Sequence, residues 1–478
     1  MIQAKMATEN VSKLDMGVIL NLSRSIVFNS LFLFYIIQLV LPIKYSDYIL
    51  SICSFFALIL SLQGIQVFYQ IIIVISLSFS LIVMYLNDLF TWDALTYFSG
   101  MTNILVLLAY ASLLSIPVLL GEYPQKIYRF FRSRITSFKS MYATFSIVTF
   151  ILCSVMTAPA IPTIQASLSE FLKKLPASFI NKFQSITYVR PFIMTLFWTP
   201  VAAAPTIAIT GTGAKASIIL PLTFTIAILF LFLDIQSSYR RLKGEVNQHF
   251  LVEENQHEVL SVKAKKSLIY FLLHIVIFIV LILSLSHWLT FSMLDAVVLM
   301  IIPYSFIWAL FLKKGKPYSK NMKKRLVETV PNIYSQVALF VAMSVFINVI
   351  AHSHIDDWIN DTVYSISITI GPFILLVIGF VVFLMTWIGI IPQLVVVLAT
   401  QTLSLQFMNV SAEWLALAIL GGALTGSASS PFTMNANIVA VTINESPMKV
   451  VKHNLFFAFL VFSVTSSLAI LLQIYFSS

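Results

Sequence analysis

The sequence predicts an all-α, polytopic membrane protein with about 10 to 12 transmembrane helices, two broken or re-entrant segments and an internal repeat. Three observations carry that prediction. Of 478 residues, 59% are hydrophobic and only 10% are charged, where soluble domains carry about 25% charged residues. The charges fall between long apolar runs instead of alternating with them. Two of those runs, Pro191 to Asp234 and Trp414 to Asn444, are interrupted by Pro, Gly and hydroxyl or amide side chains. Irregular backbone at membrane depth persists only where protein buries it or water reaches it.

Residues 1–140 form an N-terminal region of four membrane helices, read from apolar runs at about 26 to 43, 48 to 66, 67 to 87 and 101 to 120. The first 25 residues mix Lys5, Glu9, Lys13, Asp15 and Arg24 with short apolar pieces, unlike a cleavable leader. After the fourth run come Lys126, Arg129, Arg132, Arg134 and Lys139 with no acid beyond Glu122, so this loop is expected in the cytoplasm. An even number of crossings before it places the N-terminus there too.

Residues 141–239 form the first repeat. An apolar segment from Met141 ends near Pro162. The piece from Thr163 to Ser185 carries Lys173, Lys174 and Lys182 among Leu and Phe around Pro176, and is expected to lie along an interface. The first broken segment follows. Residues 240–266, where Arg240, Arg241, Lys243, Lys263, Lys265 and Lys266 flank Glu245, Glu253, Glu254 and Glu258, are expected to be a cytoplasmic linker. Residues 267–325 are a helical hairpin returning to a basic loop that runs from Lys313 to Arg325. Residues 326–478 form the second repeat and contain the second broken segment. A short match sets Met194, Thr195, Trp198 and Pro200 against Met385, Thr386, Trp387 and Pro392, allowing slips of one or two residues.

The net charge of +10 is accounted for by loops flanking membrane segments, so nucleic acid is not an expected partner. Cys53 and Cys153 are remote and make neither a disulfide framework nor a zinc pattern. His352, His354, Asp356 and Asp357 read as a polar loop, and no metal is expected. Asp234 and Asp295 read as acids near the membrane surface. No arrangement for nucleophilic or acid–base catalysis is recognisable. The chain is therefore expected to be no enzyme and to hold no cofactor beyond Na⁺ as a coupling ion.

The broken segments supply the candidate substrate-binding residues: Thr199, Thr206, Thr210, Thr212 and Lys215 in the first, and Thr425, Ser427, Ser429, Ser430, Thr433, Asn435 and Asn437 in the second. Burying a hydroxyl or amide without a partner costs roughly 2–7 kcal/mol, so such a cluster is expected to line a site. Gly421, Gly422, Gly426 and Pro431 are expected to weaken or break the second helix; their bland reading is close helix packing. Lys215 lies inside an apolar run, where a charge is a functional candidate, although a helix starting near it would let it reach an interface. TGTGAKAS lacks the phosphate-loop spacing.

The stretches PFIMTLFWTPVAAAPTIAITGTGAKASIILP and GIIPQLVVVLATQ followed by GGALTGSASSPFTMNANIVAV resemble the ion transporter superfamily, which includes divalent anion/sodium symporters and arsenite-antiporter-like permeases. That resemblance covers 141 to 478 and implies two repeats, each with a re-entrant hairpin and a broken helix whose tips surround substrate and Na⁺. SSPFTMNAN is similar to such a tip; the first stretch does not carry the Ser-Asn-Thr triplet.

Together these readings predict a secondary active transporter of the cell membrane, moving a small anionic solute with H⁺ or Na⁺ as driving ion. The alternatives are a flippase for a lipid-linked cell-envelope precursor and a membrane-embedded lipid-processing factor. The expected partners are a small solute and membrane lipid, and the composition is as compatible with a homodimer as with a monomer.

Overall fold

The computed structural model describes residues 2–132, 134–173, 175–242, 262–403 and 408–476. Among them all regular structure is helical, and 11 stretches are long and apolar enough to cross a membrane. The protein is thus an all-α, multi-pass membrane protein, as its apolar runs predict. Most of the linker expected at 240–266 lies outside the described residues.

The chain forms two compact units, Met1–Ile116 with Val298–Ile359, and Pro117–Val297 with Asn360–Ser478. The first four apolar runs become α1 (Ile2–Val40), α2 (Ser46–Ser61), α3 (Val67–Leu86) and α4 (Thr102–Tyr110). Next come α5 (Ser115–Leu120) and α6 (Tyr123–Arg132), then α7 (Phe138–Met156), α8 (Ala160–Leu172), α9 (Ala177–Trp198), α10 (Ala203–Thr212) and α11 (Ala216–Leu242). The two apolar runs after the linker are α12 (Val262–Trp288) and α13 (Met293–Phe311), followed by α14 (Gly315–Glu328), α15 (Tyr334–Ala351) and α16 (His354–Ile370). The last third holds α17 (Ile374–Trp387), α18 (Pro392–Thr402), α19 (Ala412–Ala428), α20 (Met434–Ile443) and α21 (Pro447–Phe476).

In the first unit α15 packs against α2 and α3. It is apolar on all sides, as a fully enclosed helix must be, and Val337 to Val345 are buried without a gap. Residues 326–359, counted on sequence with the second repeat, thus belong with the N-terminal helices. Arg24, buried on α1, donates from Nε to the Leu60 carbonyl (2.9 Å) and from Nη2 to the Gln63 carbonyl (2.6 Å), with its guanidinium 4.1 Å over the Tyr334 ring. A cation there satisfies the orphan carbonyls at the end of α2.

The second unit has a recurring order of elements. A hairpin of 19 and 13 residues (α7, α8), an interrupted helix of 22 and 10 (α9, α10) and a long helix of 27 (α11) come first. They are answered by a hairpin of 14 and 11 (α17, α18), an interrupted helix of 17 and 10 (α19, α20) and a long helix of 30 (α21). In this order α9 answers α19, so Thr199-Pro200 falls opposite Ser430-Pro431. The sequence match with Met385 to Pro392 is displaced by one element, because a hairpin arm and an interrupted helix have similar composition.

Two local expectations change. The interfacial piece expected at 163–185 is divided at Pro176 between α8 and the start of α9, since a residue without an N–H begins a helix readily. Gly421, Gly422 and Gly426 do not break α19; they admit its neighbours. A Cβ on Gly421 would meet Thr465 of α21, one on Gly422 the Gly379 carbonyl of α17, and one on Gly426 Thr386 of α17.

Candidate functional site

The interruption of α9 begins with Pro200, whose ring disfavours the helical conformation for the residue before it. Thr199 is accordingly extended (φ −74°, ψ 129°), and α10 restarts after a second extended residue, Ala202. The second interruption holds Ser430-Pro431: α19 stops at Ala428 and α20 restarts after an extended Thr433 (φ −77°, ψ 152°). Pro392 likewise opens α18 after Ile391 (φ −57°, ψ 125°).

The two interrupted helices pack against each other. α9 touches both α19 and α20, and α10 touches α19 and α18. Their hydroxyls are enclosed: Thr199, Thr206, Thr425, Ser427, Ser429, Ser430 and Thr433 are all buried, with Asn435 and Asn437 half-buried and Phe432 and Met434 exposed beside them. The tips of the hairpins join them. The Thr199 hydroxyl donates to the Ser154 carbonyl of α7 (2.7 Å), and Gly389, in the turn between α17 and α18, sits against Phe432 so closely that a Cβ would come within 2.8 Å of it.

Most candidate hydroxyls donate to nearby backbone. Thr206 Oγ1 donates to the Pro200 carbonyl (3.0 Å), Ser429 Oγ to Thr425 (2.8 Å) and Thr433 Oγ1 to Ser427 (2.8 Å), while Thr425 Oγ1 returns to Gly421. Asn435 Nδ2 donates to Ser427 Oγ (2.8 Å) and Asn437 Nδ2 to the Thr433 carbonyl (2.9 Å). Each amide nitrogen thus has an acceptor, the Ser427 and Ser430 hydroxyls accept, and the amide oxygens of Asn435 and Asn437 meet no donor among the described residues. The leading N–H groups of Ala203 and Ala204 in α10, and of Met434, Asn435 and Ala436 in α20, meet no acceptor among the described residues. Such helix starts favour negative charge. The Trp198 indole N–H, next to the first interruption, is also buried and meets no acceptor among the described residues.

Thr210, Thr212 and Lys215 are not part of this cluster. α10 carries Thr210 and Thr212 at its far end, about two turns or more from Ala203, and Lys215 lies beyond it. Thr212 donates to Ala208 (2.7 Å), Thr210 accepts the Leu294 N–H (3.2 Å), and Lys215 is an exposed residue of the turn before α11. Among the described residues no three His, Cys, Asp or Glu side chains gather as a metal site.

Sequence reasoning passes over Arg190. Its Nη1 donates to Asp234 Oδ1 (2.6 Å) and to Ser238 Oγ (2.8 Å), Nε to Asn454 Oδ1 (3.1 Å) and Nη2 to the His453 carbonyl (2.8 Å). The Tyr142 hydroxyl donates to Asp234 Oδ2 (2.6 Å). This buried network ties α7, α9, α11 and α21 together, and Asp234 is an enclosed ion-pair partner, not a surface acid. A charge inside the run TYVRPFIM is the available signal.

Just before α21, Glu445 accepts from the Ser446 N–H (3.0 Å), Lys449 Nζ (3.0 Å) and Asn181 Nδ2 (3.3 Å). The Ser446 N–H above all, then Lys449 and Asn181, hold its carboxyl below the ordinary range. A lowered folded-state pKa gives stability that is present above the unfolded value and lost as pH falls through the folded one. Thermal melts are therefore expected to lose a small stabilising contribution below about pH 4, and Glu445→Gln to remove that part of the acid limb. Identical acid limbs in the two proteins would discard this assignment.

No family model matches the sequence, and no curated protein sequence matches it. Solved structures do share its fold. The chain aligns with the crystal structure of the Alcanivorax borkumensis YdaH transporter over 85% of its own length and 97% of the other's, with a TM-score of 0.57 and 14% sequence identity, a likeness of fold between two membrane proteins.

Proposed function

We propose that this protein is a secondary active transporter of the cell membrane, with its N-terminus in the cytoplasm, that moves a small anionic solute driven by Na⁺ or H⁺ and performs no covalent chemistry. The observation that carries this reading is the pair of interrupted helices packed against each other with buried polar tips. The fold shared with a protein described as a transporter supports it. In this reading the open N–H groups at the starts of α10 and α20 hold the anion. The oxygens of Ser430, Asn435 and Asn437 suit a hard cation such as Na⁺.

The test is charge movement in proteoliposomes exposed to small carboxylates and oxyanions under imposed Na⁺ or H⁺ gradients. A current is expected for one solute class and one gradient, with a loss of about tenfold or more in Ser430→Ala and Asn437→Ala, the size expected for removing a ligand-bound polar group. A current untouched by both substitutions would remove the site from these tips. Movement of a lipid-linked head group without any solute response would replace the permease with a flippase.

A further inference from the structure

A cavity of about 590 Å³ opens at the far end of α10, between the turn that holds Lys215 and the end of α12. Lys215, Ser217, His287 and Trp288 line it at the helix ends, and Val280 and Leu283 line it one to two turns back along α12, where Val280 is exposed. α11 runs from this turn toward Arg240 and Arg241, and α12 runs toward it from Lys265. Both basic ends therefore lie on the other side of the membrane, and the cavity sits at the interface opposite them. Trp288, 80% exposed, stands where amphipathic rings settle between water and acyl chains.

α11 and α12 are largely uncovered, with 39% and 17% of their apolar stretches buried among the described residues, so the helices that flank the cavity present apolar surface beside it. Its two ends differ in chemistry. At the water side stand a lysine, the Ser217 hydroxyl, an imidazole and the N-terminus of a 27-residue helix. Lys215 makes no ion pair among the described residues; its backbone N–H donates to Glu413 Oε1 at 3.4 Å. At the lipid side are aliphatic side chains of α12. A small hydrophilic anion would use only the first end; an anion with an attached apolar chain would use both. A lysine that merely reached for water would need no cavity beneath it.

We infer that this cavity binds an anionic phospholipid of the leaflet opposite the basic ends, with its phosphate at Lys215 and the N-terminus of α11 and its chain along Val280 and Leu283. This inference does not depend on the transport reading, because the cavity lies away from the interrupted-helix tips. It gives Lys215 a lipid partner in place of the solute.

The test uses the purified full-length protein in bilayers containing phosphatidylglycerol or phosphatidylcholine with brominated acyl chains, which quench tryptophan at contact. Brominated phosphatidylglycerol is expected to quench a component that Trp288→Phe removes, at lower lipid fraction than phosphatidylcholine. Lys215→Gln should weaken that preference about fivefold, the value of one basic residue at a charged surface, while Lys215→Arg preserves it. Monodisperse elution of each variant shows that it is folded. Equal quenching by the two lipids, unaffected by Lys215→Gln, would make the cavity ordinary annular surface. Relief of the quenching by soluble glycerol phosphate would also overturn the assignment, since the anion would then bind without its chain.

Discussion

Asp234→Ala is expected to destabilise the protein by about 3–5 kcal/mol, because it leaves a buried guanidinium without its counter-charge. Arg190 has 11% of its side-chain surface exposed and Asp234 2%, so neither can turn to water. The substitution also strips the Tyr142 and Ser238 hydroxyls of an acceptor. Asp234→Asn should fall between, keeping an acceptor oxygen but not the charge. Replacing both partners by leucine should recover much of the loss, since a buried ion pair is often no better than an apolar pair of similar volume. Melting of the detergent-solubilised variants, followed by fluorescence-detected size exclusion, measures all four proteins. A wild-type melting point in Asp234→Ala would mean that the pair does not hold these helices.

Gly422→Ala is the second large effect, expected to cost about 1–3 kcal/mol, the range for forcing a methyl into a filled core. The new carbon would press on the Gly379 carbonyl and approach the backbone of Phe383. Backbone cannot rotate away as a side chain does, so α17 and α19 must separate. α19 is buried around its whole circumference and has no free side toward which to move. Gly17→Ala is the matched control: nothing lies within 4 Å of its Cβ position on α1, and alanine favours a helix there. The two substitutions should shift the melting point in opposite directions. A neutral Gly422→Ala would argue that α17 and α19 are not in contact.

Much of the fold is legible because membrane helices announce themselves one at a time. A run of about 20 apolar residues is a local property, and so is the gathering of Pro, Gly and hydroxyl side chains around Pro200 and Pro431, whereas Pro191, Pro221 and Pro303 lie inside continuous helices. What needs three dimensions is the partner of each residue. The glycines of α19 look like helix breakers until the carbonyl of Gly379 and the hydroxyls of Thr386 and Thr465 occupy the space they leave. Lys215 looks like a charge within an apolar span until the left-handed Gly213 (φ 71°) ends α10 just before it. The hydroxyls look like a set of ligands, but short polar side chains in a helix bond first to the carbonyl three or four residues back. The repeat can be sensed from its ingredients but not registered, because the order of hairpin, interrupted helix and long helix is a property of elements. Arg190 escapes for a simpler reason: the broken segment, as its composition delimits it, begins at the next residue.

The contact between Gly389 and Phe432 ties together two parts of the second unit that are otherwise distinct in sequence. Gly389 holds a left-handed backbone (φ 107°), and its missing side chain is what seats the phenyl-bearing residue of the neighbouring tip. The turn between α17 and α18 and the loop between α19 and α20 therefore meet where only a glycine fits, so that a methyl group at 389 would displace the polar tip without altering any polar residue.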